Sequence, residues 1–309
     1  MLNIILNAIL PIFSIILLGF ILKWRNIIDD AFARTANLIV FNIGIPAMLL
    51  SEIARAPFSE NFNLRAVICS LGSLCIVLLS SMLAVRALSI RADRRGTFLQ
   101  NSIHGNIGYM AYAIAYYAIG ESSFARMAIL SSFLMVGQNL LSVWALTSCD
   151  PEAQVNGRKW WLVIRNIVQN PIVLTVGVAI IFAALGLKIP GPLSKGLDIL
   201  AGMALPTALL LIGASLSFGA MKSMVTEILA IGTFKLLALP LVGYSLMLVS
   251  KVPGPLILPG VILLASPPAT ISYVMATELG GDPELAAASV SVFTLASALS
   301  YTLILSFLA

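Results

Sequence analysis

Charge is what this sequence has least of. Asp, Glu, Lys and Arg together make up 10% of its 309 residues, against 60% hydrophobic. A soluble domain carries about a quarter charged residues, so a water-facing surface of this size is excluded. Histidine occurs once, at His104, and cysteine three times, at Cys69, Cys75 and Cys149. An odd cysteine count without metal-type spacing excludes a disulfide framework and a zinc site. Cys69 and Cys75 lie in an apolar stretch and read as small buried packing residues. No HExxH, no GxSxG and no cluster of carboxylates is present, so the common hydrolase chemistries have no residues to run on. Long polar segments are missing as well. The longest, roughly 148–159, is too short to be a soluble domain.

What is present is a series of apolar blocks, each near the ~20 residues that a helix needs to cross a bilayer. Ten such spans are expected, near 4–22, 36–54, 66–88, 97–119, 125–147, 165–187, 197–217, 228–250, 256–277 and 285–308. The first lacks a basic lead and a small-residue cleavage site, so it reads as a retained transmembrane helix rather than a signal peptide. With ten spans both termini fall on one side. The opposite loops hold eleven basic residues, among them Arg86, Arg91, Arg94, Arg95, Arg158 and Lys159, against six on the terminal side. The positive-inside rule then places both termini outside the cytoplasm. Trp160 and Trp161 beside Lys159 read as an interfacial anchor.

The chain also repeats itself. Pro11 and Pro171, Pro46 and Pro206, and Gly120 and Gly280 are each separated by 160 residues. The expected span boundaries follow nearly the same shift. Five spans per half forces the second half to insert upside down, the inverted-repeat architecture of many secondary transporters. In equivalent positions, spans 4 and 9 carry helix-breaking runs. One contains Gly105, Asn106 and Gly108; the other contains Ser266, Pro267, Pro268 and Thr270. Prolines remove amide donors and clash with the preceding turn. Unwound backbone at membrane depth survives only where protein or a water-filled cavity satisfies it. Paired breaks of this kind mark a transporter binding site. Half-helices starting near Gly108 and Pro268 are expected to offer free amides and positive dipole ends to a carboxylate.

The run Gly105-Asn-Ile-Gly-Tyr-Met-Ala, with Tyr117-Ala-Ile-Gly120 after it, resembles the span-4 motif of the auxin efflux carrier family. Ala265-Ser-Pro-Pro-Ala-Thr-Ile-Ser-Tyr, followed by Glu278-Leu-Gly-Gly-Asp-Pro-Glu-Leu285, resembles its span-9 motif. Phe41-Asn-Ile-Gly-Ile-Pro46 and Gln169-Asn-Pro171 are similar to its spans 2 and 6. The likeness covers essentially the whole chain, in a family of bacterial malonate-type carriers and plant PIN-type auxin exporters. One departure is Tyr109-Met-Ala111, where relatives often place a proline.

The resemblance implies an elevator transporter of the kind found among bile-acid symporters and sodium-proton antiporters. Its scaffold would comprise residues 1–57, with spans 1 and 2, and 151–220, a cytoplasmic loop with spans 6 and 7. Its moving transport domain would comprise 58–150 and 221–309, with spans 3–5 and 8–10. It also implies a homodimer held through spans 2 and 7, in the inner membrane.

Pro46 is expected to break span 2, and Asn42 just before it, Pro46 itself, Tyr109 and Thr207 join the candidate substrate-binding residues. Lys235 is the most deeply placed charge, about 10 Å into span 8 by helical rise. It reads either as a participant in coupling or as a side chain snorkelling to the interface. His104, whose imidazole titrates near neutrality in water, is a second coupling candidate, with a hydrogen bond to unwound backbone as its plainer role. Gln138 and Asn139 read as helix bridges.

The leading functional expectation is a carrier of a small organic anion, auxin- or malonate-like, without a bound cofactor or nucleic-acid partner. Coupling to H+ or Na+ stays open. A sodium-coupled organic anion symporter of the bile-acid type and a non-transporting membrane sensor are the alternatives. An enzyme is not expected.

Overall fold

Each helix of this chain can be traced to the residues that start and stop it. The computed structural model describes residues 5–55, 61–149, 169–219 and 221–308, and among these it is helical throughout, with no strand. Helix α1, Leu10–Trp24, follows a π-helical turn at Ile5–Ile9. Helix α2, Asp30–Arg55, starts where the Asp29 carboxylate accepts the Phe32 amide at 2.7 Å. Helix α3, Leu64–Ala87, starts on an Asn63 side chain that accepts the Ala66 amide at 3.0 Å. Helices α4, Ala92–Ile103, and α5, Ile107–Ile119, lie either side of the first break, and α6 is Glu121–Ser148.

Helix α7, Pro171–Ala184, is opened by Pro171 and capped by the Asn170 side chain on the amides of Ile172 and Val173. Then come α8, Gly191–Ala214; α9, Val225–Val249; α10, Gly254–Leu264; α11, Ile271–Leu279; and α12, Pro283–Leu308. Gly120 and Gly280 end α5 and α11 at φ of 78° and 85°. Residues with a Cβ rarely adopt that region.

Six of these helices (α2, α3, most of α6, α8, α9 and α12) are long and apolar enough to cross a membrane. Four shorter apolar ones are α1, α5, α7 and α10. The chain is a multi-pass membrane protein. Large apolar side chains such as Leu79, Leu83, Ile199 and Phe307 face outward, as a lipid solvent requires.

The helices pack in two groups. In one, α1, α2, α7 and α8 lie against each other; in the other, α3, α4, α6 and α9–α12 do. The α1–α8 seam is closed backbone to backbone. A Cβ on Gly19 would lie 2.1 Å from the Leu210 carbonyl oxygen, and one on Gly213 would lie 1.9 Å from that of Ile16. Between α2 and α8, Asp198 accepts hydrogen bonds from Ser51 at 2.6 Å and from the Arg55 guanidinium at 2.8 Å.

Several expectations change here. Pro46 does not break its helix. A π-helical turn at Val40–Gly44 widens the helix just before it, and α2 continues to Arg55. Wide turns of this kind relieve the clash between a proline ring and the carbonyl of the preceding turn. The fourth block starts at Ala92, earlier than expected, because Arg94 and Thr97 are buried against other helices instead of lying in a loop. Cys69 is buried, whereas Cys75 is exposed on α3 rather than a buried packing residue. The Trp160–Trp161 anchor and the basic residues Arg158, Lys159 and Arg165 lie outside the described residues.

Candidate functional site

The two breaks meet. Helix α4 ends at Ile103 and α10 at Leu264, and the segments that follow cross antiparallel, with Gly105 paired to Pro268. The Asn106 amide donates to the Pro267 carbonyl at 2.7 Å, and the Ala269 amide donates to the His104 carbonyl at 3.1 Å. Each unwound strand thus satisfies the other, the arrangement that buried irregular backbone demands. Gly105 lets two side chains approach its backbone closely, and any larger residue would have to displace them. A Cβ there would fall 2.1 Å from Ser266 Oγ and 2.9 Å from Lys235 Nζ.

Each break has its own brace. Gln138 of α6 accepts the Gly105 amide at 3.0 Å and donates to its carbonyl at 3.1 Å. Lys235 of α9, 1% exposed, donates from Nζ to the Leu264 carbonyl at 2.9 Å, the last residue of α10. It sits in a π-helical turn, Thr233–Ala238. Its amino group therefore ends inside the protein rather than at the interface, and the snorkelling reading is set aside. The amides of Asn106 and Ala269 are consumed by the crossing, which narrows the expected row of free donors. The first-turn amides left without a helical acceptor are those of Gly108 and Tyr109 in α5, and of Thr270 and Ile271 beside α11.

A cleft of about 520 Å³ opens on one side of the crossing. Of the expected residues, it is lined by His104, Gly105, Asn106, Gly108, Tyr109 and Thr270. The Asn106 side chain is 5% exposed and its Nδ2 has no partner; His104 Nδ1 is likewise buried and unpartnered. The Tyr109 hydroxyl donates to the side-chain Oδ1 of Asn37 in α2.

Other expected residues lie elsewhere. Ser266 and the prolines Pro267 and Pro268 form the crossing behind the cleft, and the Ser266 hydroxyl is spent on the Leu263 carbonyl at 2.7 Å. Asn42 is exposed and donates to Leu38 one turn back, away from the cleft. Pro46 and Thr207 are half-buried outside the lining. Asn139 does line the cleft, but it bonds within its own helix, to the Met135 carbonyl, and bridges nothing.

Sequence reasoning missed one wall. Asp30, Arg34, Asn37 and Phe41 of α2 line the cleft. They recur every three or four residues, so a polar stripe on one face of an otherwise apolar helix was the available signal. Asp30 is paired with Lys23. Arg34 is exposed and has no ion-pair partner among the described residues.

Known proteins resemble this chain over nearly its whole length. A family model described as "Membrane transport protein" matches residues 4–305. A Rhizobium meliloti protein named "Putative malonate transporter" is 26% identical over 303 residues, covering 96% of this chain and 93% of that protein. An uncharacterized transporter of Methanocaldococcus jannaschii is 23% identical over 297 residues, covering 94% of each chain. Another from Methanothermobacter thermautotrophicus is 24% identical over 302 residues, covering 96% of each.

Proposed function

The chain belongs to the membrane transport protein family, the auxin efflux carrier group its motifs resemble, and on that premise we propose that it is a secondary active transporter of a small organic carboxylate. It is a transporter and not an enzyme. The observation that carries the substrate class is the cleft beside the crossed helix breaks. First-turn amides of α5 and α11, the unpartnered Asn106 Nδ2 and the Thr270 hydroxyl gather there, with the unpaired Arg34 on the facing wall. Helix N-termini and guanidinium groups both select anions. A dicarboxylate such as malonate, the substrate in the Rhizobium relative's name, fits two such anchors at once.

The mechanism we assign is an elevator within ten spans arranged as two inverted five-helix repeats. Spans 4 and 9 are the α4–α5 and α10–α11 pairs. Helices α1, α2, α7 and α8 serve as scaffold, and α3–α6 with α9–α12 carry the substrate. The scaffold dimerises through α2 and α8, and both termini lie outside the cytoplasm in the inner membrane. Two packing groups with the cleft between them support this division.

Reconstituted protein should exchange labelled malonate or a related small carboxylate in counterflow, with Arg34→Gln raising the half-saturating concentration about ten-fold or more. A panel of mono- and dicarboxylates that shows no saturable exchange would overturn the reading.

A further inference from the structure

Behind the crossing lies a second polar structure that carboxylate binding does not use. Most buried serines of this chain spend their hydroxyl on a carbonyl of the preceding turn. Ser70, Ser81, Ser102, Ser131 and Ser291 do so at 2.7–2.8 Å. Ser142, Ser272 and Ser289 do not. Each is 0% exposed, and its hydroxyl has no hydrogen-bond partner. Asn101 is also 0% exposed, and both atoms of its amide are unpartnered. Buried polar groups in folded proteins almost always have partners, so four orphans on four helices call for an occupant.

Helical register puts the four in one layer. A Cβ on Gly281 would lie 2.5 Å from Thr97 Oγ1, 2.7 Å from Leu146 Cδ2 and 3.2 Å from Ala276 Cβ. Leu146 and Ala276 also share an apolar contact with Ala286. Helices α4, α6, α11 and α12 therefore meet at this level. One turn from each contact stands an orphan: Asn101 after Thr97, Ser142 before Leu146, Ser272 before Ala276 and Ser289 after Ala286. Residues three or four apart share a helix face.

All four steps run toward the crossing. Helix α4 enters it and α11 leaves it. Helix α6 reaches it at Gln138, and α12 begins beside Thr97, whose hydroxyl accepts the Asp282 amide at 2.8 Å.

We propose that this layer is a binding site for a monovalent cation of sodium size, held by Asn101 Oδ1 and the hydroxyl oxygens of Ser142, Ser272 and Ser289. Neutral oxygens of this kind suit a hard cation rather than a transition metal. Water would satisfy the same groups, but the neighbouring charge favours a cation. On the side of the layer away from the crossing, Arg94 is bound to both Glu227, at 2.9 Å, and Asp282, at 3.1 Å, with all three side chains no more than 13% exposed. One guanidinium against two carboxylates leaves a net negative charge facing the layer through Thr97, where little water screens it. Lys235 is the opposing charge: its Nζ lies at the crossing, 2.9 Å from where a Gly105 Cβ would stand, and is tied to the Leu264 carbonyl on the α10 side.

The consequence, which rests on the carboxylate reading, is coupling. A cation about one helical turn, ~5 Å, behind the crossing raises the affinity of an anion bound in front of it, and by linkage the anion raises that of the cation.

The test needs no organic substrate, so it can succeed or fail apart from the transport reading. Purified protein is unfolded thermally in NaCl, KCl and choline chloride at equal ionic strength, and equilibrium binding of labelled Na+ is measured alongside. Saturable stabilisation by Na+ over K+ and choline is expected. Ser142→Ala and Ser289→Ala should each raise the Na+ dissociation constant about ten-fold or more, whereas Ser291→Ala should leave it unchanged. Coincident unfolding in the three salts with no saturable Na+ binding would overturn the proposal and assign the layer to ordered water. If a layer variant fails to fold, the wild-type salt comparison decides alone. Na+ binding that Ser142→Ala and Ser289→Ala leave intact would overturn the assignment of this layer.

Discussion

The two helix breaks answer one problem with different residues, and the difference explains their braces. Gly105 keeps both its amide and its carbonyl, so a glycine break leaves a donor and an acceptor to satisfy. Gln138, which can both donate and accept, meets both. Pro267 and Pro268 have no amide hydrogen. At those two positions the break leaves carbonyls without matching donors, and Lys235, a donor with no lone pair to place when protonated, meets the Leu264 carbonyl just before them. A break made by flexibility needs an amphoteric partner; a break made by a missing donor needs a pure donor.

The sharpest way to break this comparison is at its centre. Gly105→Ala puts a methyl group 2.1 Å from Ser266 Oγ and 2.9 Å from Lys235 Nζ, within a backbone held from two sides. It should abolish carboxylate binding and lower the unfolding temperature more than any other single change discussed here. A Gly105→Ala protein with wild-type stability would show that the crossing is looser than described.

Gln138→Leu comes next. It leaves the buried Gly105 amide without an acceptor, at about 1–3 kcal/mol, and takes one of two donors from the Gly105 carbonyl, which keeps the Ile107 amide at 2.9 Å; Gln138→Glu should recover only part of the loss, because a carboxylate cannot donate to that carbonyl. Lys235→Met takes the Lys235 donor from the Leu264 carbonyl, about 1–3 kcal/mol, while Lys235→Gln keeps a donor and should be milder. Thermal unfolding of the four variants ranks them, and equal losses for Gln138→Leu and Lys235→Met would end the donor–acceptor account. If Lys235 also serves the transport cycle, counterflow in Lys235→Gln falls further than equilibrium binding.

Asn106→Ala touches no brace. Its effect should be confined to substrate, a loss of about ten- to hundred-fold in carboxylate affinity, read by ligand-induced thermal shift. The smallest effect is expected at Gly108→Ala, where a Cβ meets only the methyl ends of Ile172 and Met135 at 3.6 and 3.7 Å. Stability there should stay within about 0.5 kcal/mol of wild type.

The breaks themselves were legible in the sequence because proline and glycine act through the backbone, and position alone reports them. Gly120 and Gly280 were legible for the same reason. What could not be read was pairing between distant side chains. That Gln138 reaches Gly105, or Lys235 reaches Leu264, depends on helix packing, which a one-dimensional pattern does not encode. Asn42 misled because a polar residue in an apolar helix can satisfy itself one turn back. Arg34 was hidden by its place near a helix end, where an arginine reads as a topological marker. Pro46 misled because a π-turn, unlike a kink, leaves no compositional trace.

The glycine seam between α1 and α8 has a mechanical meaning. Side chains can exchange rotamers and let two surfaces slide, but carbonyl oxygens packed against the Cα atoms of Gly19 and Gly213 have nothing to rearrange. These two helices are keyed together like a spline on a shaft. Any large displacement within one subunit is then confined to seams upholstered with pliant groups, such as the one where Gly108 approaches the tips of Met135 and Ile172. In the elevator we propose, the bond across the cleft from the Tyr109 hydroxyl to Asn37 Oδ1 would act as a detent, a single bond that marks one stop and is released before the next.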